Sequence, residues 1–305
     1  MKALIPTNDI NDMVAFGEVA EPEPADDEVL VAVEAFSINR GETFLLEAPK
    51  AGWRPGKDIA GRVIRAAANS TGPAAGARVV GHPSSRGWAE RVAVPSAQLA
   101  RLPDNINASI GASLPLAGLT ALRLLRTIGS VASRRILLTG ASGGVGHAFV
   151  ELASAGGARI TAVAATRERG QRLLELGASE VVLDIDQAPD GMDVVLESVG
   201  GASLNAALAR LAPRGTLIWF GQAGRTPATI DFFSFFNNHQ SATIRHFDYT
   251  DSDVPDGVDL ATLVHLVAAG HLHPEIDSES SWDDTSARIA DLRARRIRGK
   301  AILHL

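Results

Sequence analysis

The stretch Arg135-Ile-Leu-Leu-Thr-Gly-Ala-Ser-Gly-Gly-Val-Gly-His147 decides the fold. Ile136-Leu137-Leu138 is an apolar run of strand length. It ends in a glycine-rich turn that opens into Ala148-Phe-Val-Glu-Leu-Ala153, which reads as helix. Strand, glycine turn and helix in this order form the context in which such a motif binds phosphate. Gly140 permits the sharp turn, Gly143 and Gly144 clear side chains from the path of a pyrophosphate, and Gly146 lets the helix lie close. The first turn of the helix offers unpaired N–H groups and partial positive charge to an anion.

Downstream the pattern repeats. Strands 159–164, 181–183, 193–198 and 215–220 alternate with helices 168–176 and 203–211, and Thr243-Ile-Arg-His246 reads as a last strand. Strands alternating with helices of this length imply parallel βαβ units, hence an α/β doubly wound sheet. A helix over Leu260–Ala269 is stopped by Gly270.

Upstream, short strands around 29–35, 61–65, 77–81 and 88–94 are separated by Gly and Pro, the pattern of a small barrel or sandwich. The tail from His271 has a turn at Pro274, a charged helix from about Asp284 to Arg295 and a final strand Lys300–His304. It is expected to return to the first domain, leaving a ligand crevice that faces the β-rich part.

Length and composition fit this division. A chain of 305 residues suits two domains. Hydrophobic content of 46% with 21% charged residues is ordinary for a soluble globular enzyme. A formal charge of −6 and the lack of Lys/Arg runs argue against a nucleic-acid partner. The apolar run at Met1–Pro6 is too short for a signal peptide, and no stretch approaches the ~20 apolar residues that span a bilayer. The chain has no cysteine, so disulfides, thiolate nucleophiles and cysteine-bound zinc are excluded. A cytoplasmic location is expected.

Further blocks flank the glycine turn in a fixed order: Ser37-Ile-Asn-Arg-Gly-Glu42, Pro55-Gly-Lys-Asp-Ile-Ala-Gly-Arg-Val63, Gly87-Trp-Ala-Glu90, Leu114-Pro-Leu-Ala-Gly-Leu-Thr-Ala121, Asp193-Val-Val-Leu-Glu-Ser-Val-Gly-Gly201 and Gly299-Lys-Ala-Ile-Leu303. With them the chain resembles the medium-chain dehydrogenase/reductase superfamily, in its zinc-free quinone oxidoreductase branch. The resemblance implies a GroES-like catalytic domain (1–117 and 271–305) around a Rossmann NADP-binding domain (118–270). It implies hydride transfer from NADPH to a quinone, enone or similar activated double bond in a small apolar or aromatic carbonyl substrate, and a homodimer paired through the edges of the cofactor sheets.

The resemblance also assigns residues. Asn39 and Thr120 lie near the nicotinamide. For Asn39 a plain turn role is the alternative, and for Thr120 a helix hydroxyl bonded to its own backbone. Gly140, Ser142, Gly143, Gly144 and Val145 hold the pyrophosphate. Ser198, Val199 and Gly200, with Phe220, Gly221 and Gln222, follow strands and flank the cofactor; Lys300 is a further carry-over.

Thr166, Arg167 and Arg169 follow the end of the second strand of the cofactor domain, where an acidic residue would bond a ribose 2′-hydroxyl. A hydroxyl and two guanidinium groups there favour a 2′-phosphate, although Glu168 opposes it. The alternative is that both arginines are solvated charges.

No metal site is expected. Asn39-Arg40 and Lys57-Asp58 stand where zinc-dependent relatives carry their ligands, and Arg and Lys bind no metal. His271 and His273 lie in a turn without a third ligand. Phe44 stands where many relatives carry a tyrosine, and the sole tyrosine, Tyr249, sits in a polar segment, so the proton donor is unassigned. Phe232-Phe-Ser-Phe-Phe236 reads as buried or interface packing, or as a wall of the substrate pocket. Two other functions fit these features: a stand-alone enoyl reductase of polyketide or fatty-acid type, and a non-catalytic NADPH-binding structural or regulatory protein.

Overall fold

The computed structural model describes all 305 residues, which divide by packing into two units: 1–119 with 253–305, and 120–252. No helix is long and apolar enough to cross a membrane.

The second unit is a six-stranded parallel sheet. Its order is Glu180–Val182, Arg159–Val163, Arg135–Leu138, Met192–Glu197, Leu211–Trp219 and Thr243–His246. Numbered along the chain from Arg135–Leu138, this is the 3-2-1-4-5-6 order of a dinucleotide-binding sheet. Helices Gly144–Ala155, Arg167–Glu175 and Ala202–Ala209 connect the strands. Both faces are covered. Ile136, Leu138, Val194, Leu196 and Ile218 pack into one core, whereas Leu137, Val195 and Leu217 pack into the other. That is why these strands read as continuous apolar runs rather than as alternating ones.

The first unit carries a seven-stranded sheet. The order is Ile276–Ser281, Lys300–His304, Glu28–Ser37, Asp58–Arg65, Arg78–Gly81 and Leu99–Arg101, with Arg91–Pro95 also pairing Glu28–Ser37. A separate antiparallel pair joins Lys2–Pro6 to Val14–Glu18. One register matters for chemistry. Ser37, at the end of the central strand, is opposite Asp58 on one side and Ile302 on the other. The tail thus returns to the first unit as a central strand, within two residues of Lys300.

Three features add to or differ from the sequence reading. Helix Asp256–Ala268, expected in the cofactor domain, packs on the first unit. Gly257 lies against the Ala97 and Leu99 carbonyls, a contact that a side chain would block. Ile276–Ser281 is a strand, where the sequence reading assigned no element; its polar sequence alternates without a strong apolar face. The Phe-rich segment is a short 3-10 helix that turns Phe232, Phe233 and Phe236 outward, exposed by 67%, 73% and 62%, and only Phe235 packs inward.

Candidate active site

Each unit holds one cluster of buried polar groups where the sequence analysis placed function. In the first unit the cluster surrounds Asn39. Strand Glu28–Ser37 ends just before it, and Asn39 is the N-cap of helix Arg40–Glu47. Glu42, three residues on, reaches back to accept the Asn39 backbone N–H at 3.1 Å, one half of a capping box. The Asn39 side chain does not complete the box. Its Oδ1 accepts from Lys300 Nζ at 2.6 Å, and its Nδ2 donates to Asp58 Oδ2 at 2.8 Å and to Glu42 Oε2 at 3.2 Å. The amide orientation is therefore fixed by an ammonium on one side and two carboxylates on the other.

Asp58 is fully buried and spends both oxygens. Oδ2 accepts from Ser37 Oγ at 2.8 Å, from Asn39 and from Lys300 Nζ at 3.0 Å; Oδ1 accepts the Leu116 N–H at 2.9 Å. His82 Nδ1 stands 3.4 Å from Oδ1. Burial pushes the Asp58 carboxyl up. The Lys300 ammonium, His82 and Asn39 outweigh it and hold the pKa below the usual carboxylate range. Glu42 shifts the other way. Burial first, then the Asp58 charge, pushes its pKa up to about 7, against the opposing hydrogen bond from Gly56. Its Oε1 accepts the N–H groups of Gly56 at 2.8 Å and Lys57 at 3.1 Å, which ties helix Arg40–Glu47 to the turn before Asp58.

This donor set does not fit zinc. No group of three or more His, Asp and Glu side chains is arranged to hold a metal. The Lys300 ammonium already supplies the positive charge beside Asp58, and the lone pairs a metal would need are taken by N–H and O–H donors.

In the second unit the cluster sits at the carboxyl ends of the strands. Helix Gly144–Ala155 has Gly143 as N-cap and no side-chain cap, which leaves its first-turn N–H groups, those of Gly144 and Val145 among them, for an anion. Gly140 adopts a left-handed φ of 61°. A Cβ on Gly146 would collide with the Ala141 carbonyl, so glycine there is set by the loop folding onto the helix. Ser142 is half-buried in the same turn.

The buried Glu197 holds the neighbouring loop. It accepts the N–H groups of Val199 and Gly200 at 2.9 Å each, Ser203 Oγ at 2.9 Å and Thr139 Oγ1 at 3.2 Å. Thr139 Oγ1 accepts the Ser198 N–H at 3.0 Å, and Ser198 Oγ donates to the Thr139 carbonyl at 3.2 Å. One carboxylate therefore fixes Ser198–Gly200 against the end of strand Arg135–Leu138. Phe220, Gly221 and Gln222 join this group: the Phe220 N–H donates to Glu197 O at 2.9 Å, and Gly221 and Gln222 close on Ser198 and Gly200. Glu197 is absent from the residues the sequence analysis assigned. Its signal is an acidic side chain ending a buried apolar strand.

Thr166 is the N-cap of helix Arg167–Glu175, accepting the Arg169 N–H at 3.3 Å. Arg167 is exposed and Arg169 half-buried on the first turn. Thr120 is buried in helix Pro115–Ile128. Asn39 and Lys300 thus meet in the first unit. The glycine turn, Ser198–Gly200 and Phe220–Gln222 meet in the second.

Two family models match the chain: the alcohol dehydrogenase GroES-like domain over residues 25–104, and the zinc-binding dehydrogenase model over residues 144–262. The Homo sapiens quinone oxidoreductase is 31% identical over 224 residues, covering 68% of each chain. A chloroplastic quinone-oxidoreductase homolog of Spinacia oleracea is 36% identical over 198 residues, 59% of each. The Escherichia coli quinone oxidoreductase solved with NADPH shares the fold, with a TM-score of 0.89 over 100% of this chain and 99% of that one at 21% identity. The chain belongs to the quinone oxidoreductase branch of the medium-chain dehydrogenase/reductase superfamily.

Proposed function

We propose that this chain transfers hydride from NADPH to a quinone, enone or similar activated double bond, without zinc. The observation that carries the reading is the Glu197 carboxylate, which locks Ser198–Gly200 beside a glycine turn whose helix N-terminus is uncapped. This is a rigid cradle for a pyrophosphate at the carboxyl ends of a dinucleotide-binding sheet. NADPH, when bound, supplies the hydride. The turn 140–145 holds the pyrophosphate, Ser198–Gly200 and Phe220–Gln222 flank the cofactor, and Thr166, Arg167 and Arg169 take the 2′-phosphate. Asn39, fixed by Lys300, Asp58 and Glu42, and Thr120 position the nicotinamide and acceptor. Solvent supplies the proton. The names of the relatives in the same branch support this reading.

The protein acts as a homodimer in the cytoplasm. The edge strand Thr243–His246 pairs on one side only and all four residues are exposed. Phe232, Phe233 and Phe236 form an exposed aromatic cluster in the same unit, with ring centroids 5.6–6.4 Å apart. An open edge and an apolar patch are both liabilities that a second copy would cover.

The test of activity is NADPH oxidation with a panel of quinones and enones. Acceptor-dependent turnover supports a reductase. Tight NADPH binding without turnover on any acceptor points to the non-catalytic role.

A further inference from the structure

Two loops of the first unit, 48–57 and 83–88, are zipped together by backbone hydrogen bonds. Arg86 N–H donates to Arg54 O at 3.0 Å, Gly87 N–H to Gly56 O at 3.0 Å and Trp88 N–H to Pro55 O at 3.3 Å. The loops carry Lys50, Arg54, Lys57 and Arg86 and no Asp or Glu, in a chain with a formal charge of −6. Elsewhere in this unit arginines find acceptors: Arg40 donates to the Leu292 carbonyl, Arg62 to Gly76 and Arg78 to Pro103. Arg54 does not. Its Nη1 is removed from solvent and reaches no acceptor. Burial, and after it the neighbouring Arg86 charge, pushes the Arg54 guanidinium pKa down. Neither arginine pairs with a carboxylate. Arg86 holds its position with a left-handed φ of 72°, a conformation costly for a residue other than glycine.

Two like charges on loops joined by backbone hydrogen bonds, one of them half-buried, gain from an anion that bridges them. Planar guanidinium groups match a carboxylate with paired N–H···O bonds. The loop is also one carboxylate away from Asn39, because Glu42 accepts from Gly56 and Lys57 with one oxygen and from Asn39 with the other.

We propose that Arg54 and Arg86 form a carboxylate-binding subsite that takes an acidic tail on the hydride acceptor. The subsite stands on the two arginines. That the carboxylate belongs to the acceptor rests on the reductase reading and on the role proposed there for Asn39.

The experiment compares a naphthoquinone carrying a propionate side chain with its methyl ester, so that only the charge differs. In the wild type the acid has a KM lower than the ester by about tenfold, as one charge-assisted contact gives. This preference falls toward unity in Arg54→Gln and in Arg86→Gln, and Arg54→Lys keeps part of it. Equal KM values for acid and ester in the wild type, or a preference that survives both glutamine substitutions, overturn the subsite. If neither compound is reduced, the reductase reading fails and calorimetric titration of the same pair decides the subsite. Tighter binding of the acid that both substitutions abolish sustains it, and equal binding refutes it. Should Arg54→Gln fail to fold, Arg86→Gln, at an exposed position, carries the comparison.

Discussion

Lys300 Nζ donates to Asn39 Oδ1 at 2.6 Å, across 261 residues of sequence. The contact exists because the last strand returns to pair with the strand that ends at Ser37, while Asp58 closes the other side of that strand. The same ammonium reaches Asp58 at 3.0 Å, so Asn39 is oriented by a buried ion pair.

Removing one member of this pair exposes its cost. Lys300→Met leaves the Asp58 carboxylate buried without its cation, and the expected loss is about 3–5 kcal/mol in denaturant unfolding. Adding Asp58→Asn removes the stranded charge, so the double variant is more stable than Lys300→Met alone. Strict additivity of the two substitutions contradicts the pairing.

Glu42 makes stability depend on pH. Its folded pKa of about 7 lies above the unfolded value of 4.5, so between them the folded state holds more protons. That stabilising share is complete below about pH 4.5 and is lost as pH rises to about 7, a change on the order of 3 kcal/mol. Asp58, depressed in the folded state, acts in the opposite sense and only at lower pH, below its unfolded 3.8. Glu42→Gln should therefore gain stability relative to the wild type as pH rises from 4.5 to 7. Unfolding curves across that range test it, and a pH-independent difference refutes it.

Glu197→Gln replaces an acceptor with an amide nitrogen facing backbone N–H groups. The loop Ser198–Gly200 loses its lock, and NADPH affinity should fall about tenfold, since an unsatisfied buried group costs about 1–3 kcal/mol. Fluorescence titration with NADPH measures this. Unchanged affinity in a folded variant contradicts the assigned cradle.

Gly146→Ala forces a Cβ against the Ala141 carbonyl, which is backbone and cannot swing away. A loss of about 1–3 kcal/mol of stability and weaker NADPH binding are expected. Gly129→Ala, where a Cβ meets nothing but φ is 76°, is the control for backbone strain alone. Equal effects on NADPH binding from both substitutions count against the steric argument.

Arg167→Ala and Arg169→Ala test the 2′-phosphate assignment. Losing one charge-assisted bond is expected to cost about tenfold to a hundredfold in the kcat/KM preference for NADPH over NADH. A wild type that prefers NADH, or a preference untouched by either substitution, removes these residues from the site.

Much of this architecture is legible locally. Both-face burial makes Ile136–Leu138 a continuous apolar run, and the glycine turn after it marks the phosphate end of the sheet. The spacing of Asn39 and Glu42 also carries a capping signal, although the Asn39 side chain turns from the helix to Lys300 because a buried ammonium is the stronger donor. What stays hidden is non-local. No pattern around Asp58 or Lys300 announces a partner 242 positions away. Helix Asp256–Ala268 shows the same periodicity whichever unit it packs on, and its seat against Ala97 and Leu99, where Gly257 fits, lies far away in sequence. The strand Ile276–Ser281 is polar, and its pairing with Lys300–His304 supplies what its composition lacks.

The most direct measurement follows the hydride itself. Protein stripped by exhaustive chelation is mixed with NADPH deuterated at the transferable C4 position and a quinone or enone acceptor, and product is analysed by mass spectrometry. For an enone, deuterium should appear in the reduced product at full rate without added zinc. For a quinone, whose oxygen-bound hydrogens exchange with solvent, stoichiometric loss of the C4 deuterium from NADPH is the readout. No cofactor oxidation with any acceptor, or activity that vanishes on chelation and returns with zinc, would contradict zinc-free hydride transfer by this chain.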